Sequence, residues 1–327
     1  LDDRNHNAMS SPAIVDADDF DAARDAKHLR RAMKGMGTDE EAINEILGAR
    51  SNAQRQEIAK AFHDEYNRNL VKDLKSELGG KLEDTVLGLM RTAAAYDAYW
   101  LRKAMKGLGT TESVLIECLC VRSSEEIQAA RKAFGDEYKR DLEKDVASEV
   151  SGDLKKLLVG LIANPRPSDS DEVDEAKATL DANLLYNAGE KKLFGTDEDC
   201  FVKILTTRSR SHLLKTFEEY GKLSDYDIVR SIDREMGGDL EKALIAIVNW
   251  VRGPERWYAE TLYQAMNGAG TDDDTLQRVI ISRSEIDLQG IASAFNMNHD
   301  KYNKTLQNWI KGDLSGDYEK LILMILQ

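Results

Sequence analysis

The sequence predicts an all-helical protein built from four copies of one unit, and three observations carry that prediction. The string KGMGTDEEAINEIL at residues 34–47 returns at Lys106, more loosely at Lys192, and again at Asn267. An apolar period of three and four residues follows each copy. Few stretches have strand character, and only four prolines interrupt 327 residues.

The element that follows each turn is a helix. Aligned on the threonine after the glycines (Thr38, Thr110, Thr196, Thr271), position +5 is Ile43, Leu115, Phe201 and Leu276. Position +8 is Ile46, Cys118, Ile204 and Val279, and +9 is Leu47, Leu119, Leu205 and Ile280. These positions form one apolar helical face. Each Thr reads as an N-cap, and an acid three residues on (Glu41, Asp199, Asp274; Ser113 in the second copy) reads as a capping box or its Asp equivalent. Arginine falls at +12 in every copy, Arg50, Arg122, Arg208 and Arg283, each followed by Ser. Near a helix end, these arginines are expected to bond the last carbonyls or to pair with a buried acid.

A second anchor follows in SELGGKL, SEVSGDL, REMGGDL and GDLSGDY. Its acid lies 39 residues beyond the Thr at Glu77, Glu149 and Glu235, and 42 beyond it at Asp313. The three extra residues belong to FNMNHDKYNK, where the apolar period lapses. Glycine three residues after each acid marks the start of another helix. These landmarks give a tail at 1–17, repeats at 18–91 and 92–163, a polar acidic linker at 164–174, and repeats at 175–250 and 251–327. The linker is expected to divide the chain into two pairs of repeats.

Composition bounds the function. A formal charge of -14 disfavours nucleic acid and direct contact with anionic lipid. No apolar run approaches the ~18 residues of a membrane span, and the N-terminal stretch lacks a signal-peptide pattern. Cys118, Cys120 and Cys200 form neither a disulfide framework nor a metal spacing, so a cytoplasmic location is expected. The five histidines fall at unrelated repeat positions, and no nucleophile elbow or phosphate loop occurs, so no enzyme is expected. The acidic segments DADDFD and DSDEVDE lack the glycine and spacing of an EF-hand loop.

Glycines two apart let a loop turn tightly with its carbonyls pointing outward. Carbonyl oxygens with one carboxylate suit a hard cation such as Ca²⁺. If the two inter-helix loops of a repeat share one end of a bundle, the distant acid reaches the turn. Ca²⁺ would then supply the positive layer between an acidic protein and an acidic membrane. Met36, Leu108, Phe194 and Ala269, apolar in every turn, are expected to touch the membrane interface, with core packing as the alternative.

MKGMGTDE with Glu77, MKGLGTTE with Glu149, the Arg-Ser pairs, and SRSEIDL followed by SGDY resemble the annexins over roughly residues 18–327. The resemblance implies five helices per repeat and a curved disk with Ca²⁺ loops on its convex face. It also implies reversible Ca²⁺-dependent binding to acidic, phosphatidylserine-like membranes. By position, the implied ligands of the first repeat are the carbonyls of Met33, Gly35 and Gly37 with Glu77. Those of the second are Met105, Gly107, Gly109 and Glu149, and those of the fourth Met266, Gly268, Gly270 and Asp313. The third repeat departs from the pattern: its turn AGEKKLFGT has one glycine beside the Thr and is longer, leaving Leu193, Gly195 and Glu235. Thr38 and Glu40 remain secondary contacts. The short tail lacks an amphipathic helix, so no obligate protein partner is expected, while self-association on membranes is compatible with the family. The competing reading is a helical scaffold that binds proteins, with Ca²⁺ secondary; a period above 70 residues exceeds that of tetratricopeptide or HEAT arrays.

Overall fold

The computed structural model describes residues 11–169, 172–192 and 195–327. Among these, the chain forms helices and no strands. The first five helices are α1 (Ala22–Ala32), α2 (Glu40–Leu47), α3 (Asn52–Tyr66), α4 (Leu70–Glu77) and α5 (Gly80–Leu89). The next five are α6 (Ala93–Ala104), α7 (Glu112–Cys120), α8 (Ser124–Tyr138), α9 (Leu142–Glu149) and α10 (Gly152–Ala163). The third set is α11 (Glu175–Ala188), α12 (Glu198–Thr207), α13 (Arg210–Tyr220), α14 (Ile228–Glu235) and α15 (Gly238–Arg252). The last is α16 (Pro254–Met266), α17 (Asp273–Arg283), α18 (Leu288–Met297), the short α19 (His299–Tyr302), α20 (Leu306–Asp313) and α21 (Gly316–Ile325). No described helix is long and apolar enough to cross a membrane.

The predicted apolar faces are buried in all four copies, with Ile43, Leu115, Phe201 and Leu276 at 1% exposure or less. The chain divides into two compact units, residues 1–93 with 255–327, and residues 94–254. The first repeat therefore packs with the fourth, and the second with the third, which corrects the expectation that the linker separates two pairs. The linker lies inside the second unit and joins it. Arg166 is buried there, its guanidinium donating to Leu205 O at 2.8 Å and lying over the Trp250 ring, while its backbone N–H donates to Ser124 Oγ. Asp169 accepts from Ser211 N at the start of α13. In the first unit, Ala13 and Ile14 donate their N–H groups to Ser284 O, and the Gln54 amide bonds both the N–H and the C=O of Ala17.

The helix starts after the glycine turns differ from expectation. The N-caps of α2, α12 and α17 are Asp39, Asp197 and Asp272, each accepting from the backbone N–H three residues on. Thr111 stands in that place in the second copy, without a side-chain cap bond. The preceding threonines are therefore not the caps, and Glu41, Asp199 and Asp274 close no capping box. Aspartate is a better acceptor at that position, and it frees the threonine hydroxyl for another bond. Capping boxes occur one helix later, at Ser51–Gln54 and Ser123–Glu126. The serine of each Arg-Ser pair is thus a cap in the first three copies, Ser209 serving α13.

The preceding arginines pair with an acid on the first helix of their own repeat. Arg50 Nε lies 2.7 Å from Asp25, Arg122 reaches both oxygens of Asp97 at 3.1 Å, and Arg208 bonds Asp181 at 2.6 and 3.1 Å. In the fourth repeat Tyr258 occupies the corresponding place. Arg283 lies over its ring at 4.8 Å and takes its carboxylate locally from Asp287, at 2.8 and 2.6 Å.

Candidate functional site

Each glycine turn is anchored at both ends and open between them. The side chains of Met33, Met105 and Met266, at or just past the end of the first helix, are buried. Beyond the turn, backbone N–H groups reach back to that helix: Asp39 to Ala32 O, Thr111 to Ala104 O, and Asp272 to Ala265 O. Between these anchors Gly35, Gly37, Gly107, Gly109 and Gly270 have φ between 86° and 124°, a region that L side chains avoid. Nothing lies within 4 Å of where a side chain would begin on these glycines. Met36 and Leu108 are fully exposed, which rules out core packing for both, and Ala269 is exposed as well.

The distant acid arrives at the turn. Glu77, Glu149, Glu235 and Asp313 are the last residues of α4, α9, α14 and α20. Thr38 Oγ1 donates to Glu77 Oε2 at 2.9 Å, Thr110 Oγ1 to Glu149 Oε2 at 2.7 Å, and Thr271 Oγ1 to Asp313 Oδ2 at 3.1 Å. The helices that carry the acids are fixed at their starts. Asn69, Asp141, Asp227 and Thr305 cap them, and Arg68 and Arg140 grip Asp73 and Asp145 with two bonds each. In the fourth repeat the inserted residues fold into α19 and bury Tyr302, whose hydroxyl donates to Glu260 at 2.8 Å. The insertion is absorbed there, and Asp313 keeps its place beside Thr271.

The third turn is different. It closes from Asp197 N to Ala188 O, nine residues rather than seven, and Gly195 has φ of 67°. Thr196 Oγ1 donates to the backbone carbonyl of Glu235 at 3.1 Å, not to its carboxylate. Within the turn Glu190 faces inward and accepts from Ser224 Oγ and Ser231 Oγ. Leu193 and Phe194 lie outside the described residues.

Electrostatically these ends are negative with only distant compensation, Arg68 and Arg140 being bonded to Asp73 and Asp145 while acting on Glu77 and Glu149 through space. Glu77, Glu149 and Asp313 are exposed carboxylates at helix C-termini, where the helix dipole already presents negative charge. A cation is what such an arrangement accommodates. Among the described residues no three His, Cys, Asp or Glu side chains converge for a metal, so a cation here would rest on turn carbonyls and one carboxylate. Sequence reasoning missed the threonine bond and the Arg partners Asp25, Asp97 and Asp181. A shared aspartate on the first helix of three repeats was the available signal for the latter.

Comparisons with known proteins agree with this architecture. A family model described as Annexin matches residues 24–89, 96–161, 180–247 and 258–325. The chain is 50% identical over 306 residues to annexin A5 of Gallus gallus, covering 94% of both chains. Its fold is similar to solved annexin III, with TM-score 0.92, 43% identity and 96% coverage of each chain. It is also similar to calcium-bound annexin (Sm)1, with TM-score 0.86 and 32% identity, covering 97% of this chain and 93% of the other. With four matched repeats and half its residues shared with a curated relative along nearly its whole length, this chain belongs to the annexin family.

Proposed function

We propose that this chain binds anionic phospholipid surfaces reversibly, with Ca²⁺ held at its glycine turns, as a peripheral protein that leaves the cytoplasm for the membrane when Ca²⁺ rises. The observation that carries the reading is the meeting of each turn in the first, second and fourth repeats with an acid 39 or 42 residues away. The ligands would be the carbonyls of Met33, Gly35 and Gly37 with Glu77; of Met105, Gly107 and Gly109 with Glu149; and of Met266, Gly268 and Gly270 with Asp313. Gly195 and Glu235 form the weakest set. Bound Ca²⁺ supplies positive charge between a protein of net charge -14 and a phosphate surface. The chain's own part is to hold carbonyls open and one carboxylate aimed, and to present Met36 and Leu108 to the apolar side of the interface. A Ca²⁺-bound relative at 32% identity supports the choice of ion. We read the chain as a binding protein rather than an enzyme. His212, which bonds Asp181 at 2.9 Å, is buried beside Arg208 in a structural cluster.

Co-sedimentation with phosphatidylserine vesicles across a Ca²⁺ series tests the reading. Glu77→Gln with Glu149→Gln should raise the half-maximal Ca²⁺ by about tenfold or more, since each removes a charged oxygen ligand. Binding that persists in chelator, or an unchanged Ca²⁺ dependence in the double variant, would overturn it.

A further inference from the structure

We propose that the threonine hydroxyl at each turn is a positioning group for the distant carboxylate, and that its choice of acceptor grades the four turns. This rests on the reading of the turns as Ca²⁺ sites. The hydroxyl has no capping duty in the first, third and fourth copies, because Asp39, Asp197 and Asp272 cap the following helices. Its hydrogen goes across the repeat instead, to a carboxylate in the first, second and fourth copies, with a longer 3.4 Å contact to the Glu77 carbonyl beside it in the first, and to a backbone carbonyl in the third.

The physical consequence is one of ordering. Glu77 and Glu149 are exposed side chains at the ends of helices, and a free glutamate there samples several rotamers. A hydroxyl bonded to one oxygen selects the rotamers that face the turn. An ionised carboxylate has about four acceptor positions, so one bond from threonine leaves the rest for a cation. The ordering cost of binding is therefore reduced before the ion arrives. In the third turn Glu235 receives no such bond on its carboxylate. The order that follows places the first and second turns foremost, where the threonine holds the longer glutamate by its carboxylate. The fourth comes next, with the shorter Asp313 at 3.1 Å, and the third is last.

The test uses the full chain and phosphatidylserine vesicles. Thr38→Val, Thr110→Val and Thr271→Val together keep the side-chain shape and remove the hydroxyl. The half-maximal Ca²⁺ should rise about three- to tenfold, the range of one side chain's ordering cost. The unfolding midpoint in chelator should stay unchanged, and the matching Thr→Ser triple should restore the parent response. By calorimetric Ca²⁺ titration, Thr110→Val should lose affinity while Thr196→Val should not. A valine triple with the parent Ca²⁺ response, beside a strongly shifted Glu77→Gln/Glu149→Gln variant, would overturn the positioning role and leave the ligand reading standing. If the glutamine variant is also unshifted, the ligand reading itself fails. Equal losses from Thr110→Val and Thr196→Val would overturn the grading.

Discussion

Asp181 shows how a single buried charge is kept ionised in this fold. Burial pushes its carboxyl upward, but hydrogen bonds from Arg208 and His212 outweigh this and hold its pKa below the ordinary carboxylate value. Its contribution to stability is therefore complete above the unfolded value of about 4 and is lost as pH falls through the lower folded value. Replacing it leaves Arg208 without its carboxylate. Asp181→Asn should cost about 3–5 kcal/mol at pH 7, with a gap from the parent that narrows in acid, measured by urea unfolding at pH 7 and pH 3. The fourth repeat reaches the same end by another route. With Tyr258 where Asp25 and Asp97 stand, the acid has moved to Asp287, one turn beyond Arg283.

At the scale of elements, α19 shows how an insertion is made harmless. Its three extra residues could have displaced Asp313. Instead they form a helical turn whose Tyr302 is buried, stacks on Tyr263 at 4.4 Å, and accepts at its carbonyl from Trp309 Nε1. Tyr302→Ala should therefore destabilise the first unit by about 3–5 kcal/mol through the cavity it leaves, read as a lowered thermal midpoint in chelator. Element existence was legible in the sequence because apolar periodicity is local. The caps were misplaced by one residue because Thr-Asp offers two good acceptors in a row. Only the path of the chain decides which one meets the helix.

At the scale of the molecule, the proposed function requires a protein of net charge -14 to approach an anionic surface. Met36 and Leu108 stand fully exposed on the first and second turns, and burying each side chain is worth about 1.5–3 kcal/mol. Met36→Ser with Leu108→Ser should weaken vesicle binding at saturating Ca²⁺ at least tenfold while leaving Ca²⁺ binding in solution unchanged. Vesicle co-sedimentation beside a calorimetric titration separates the two; unchanged vesicle affinity would remove these residues from the interface. Which repeats pair is also decided at this scale. Asn44 Nδ2 donates to Asp317 O at 2.9 Å and Gln277 Nε2 to Lys81 O at 3.3 Å, a reciprocal pair of buried amides joining the first and fourth repeats. The matching positions in the second and third repeats are the apolar Ile116 and Val202, both buried.

The sequence by itself determined the four copies, their helical faces, and the constant separation of turn and acid. All of these are written in local periodicity and counting. Only the tertiary structure decided that Thr38 meets Glu77 through a hydroxyl, that Arg50 chooses Asp25, and that Arg166 joins the second repeat to the third. These depend on distances between residues far apart in the chain, which are set by how the helices pack, and no local pattern encodes them.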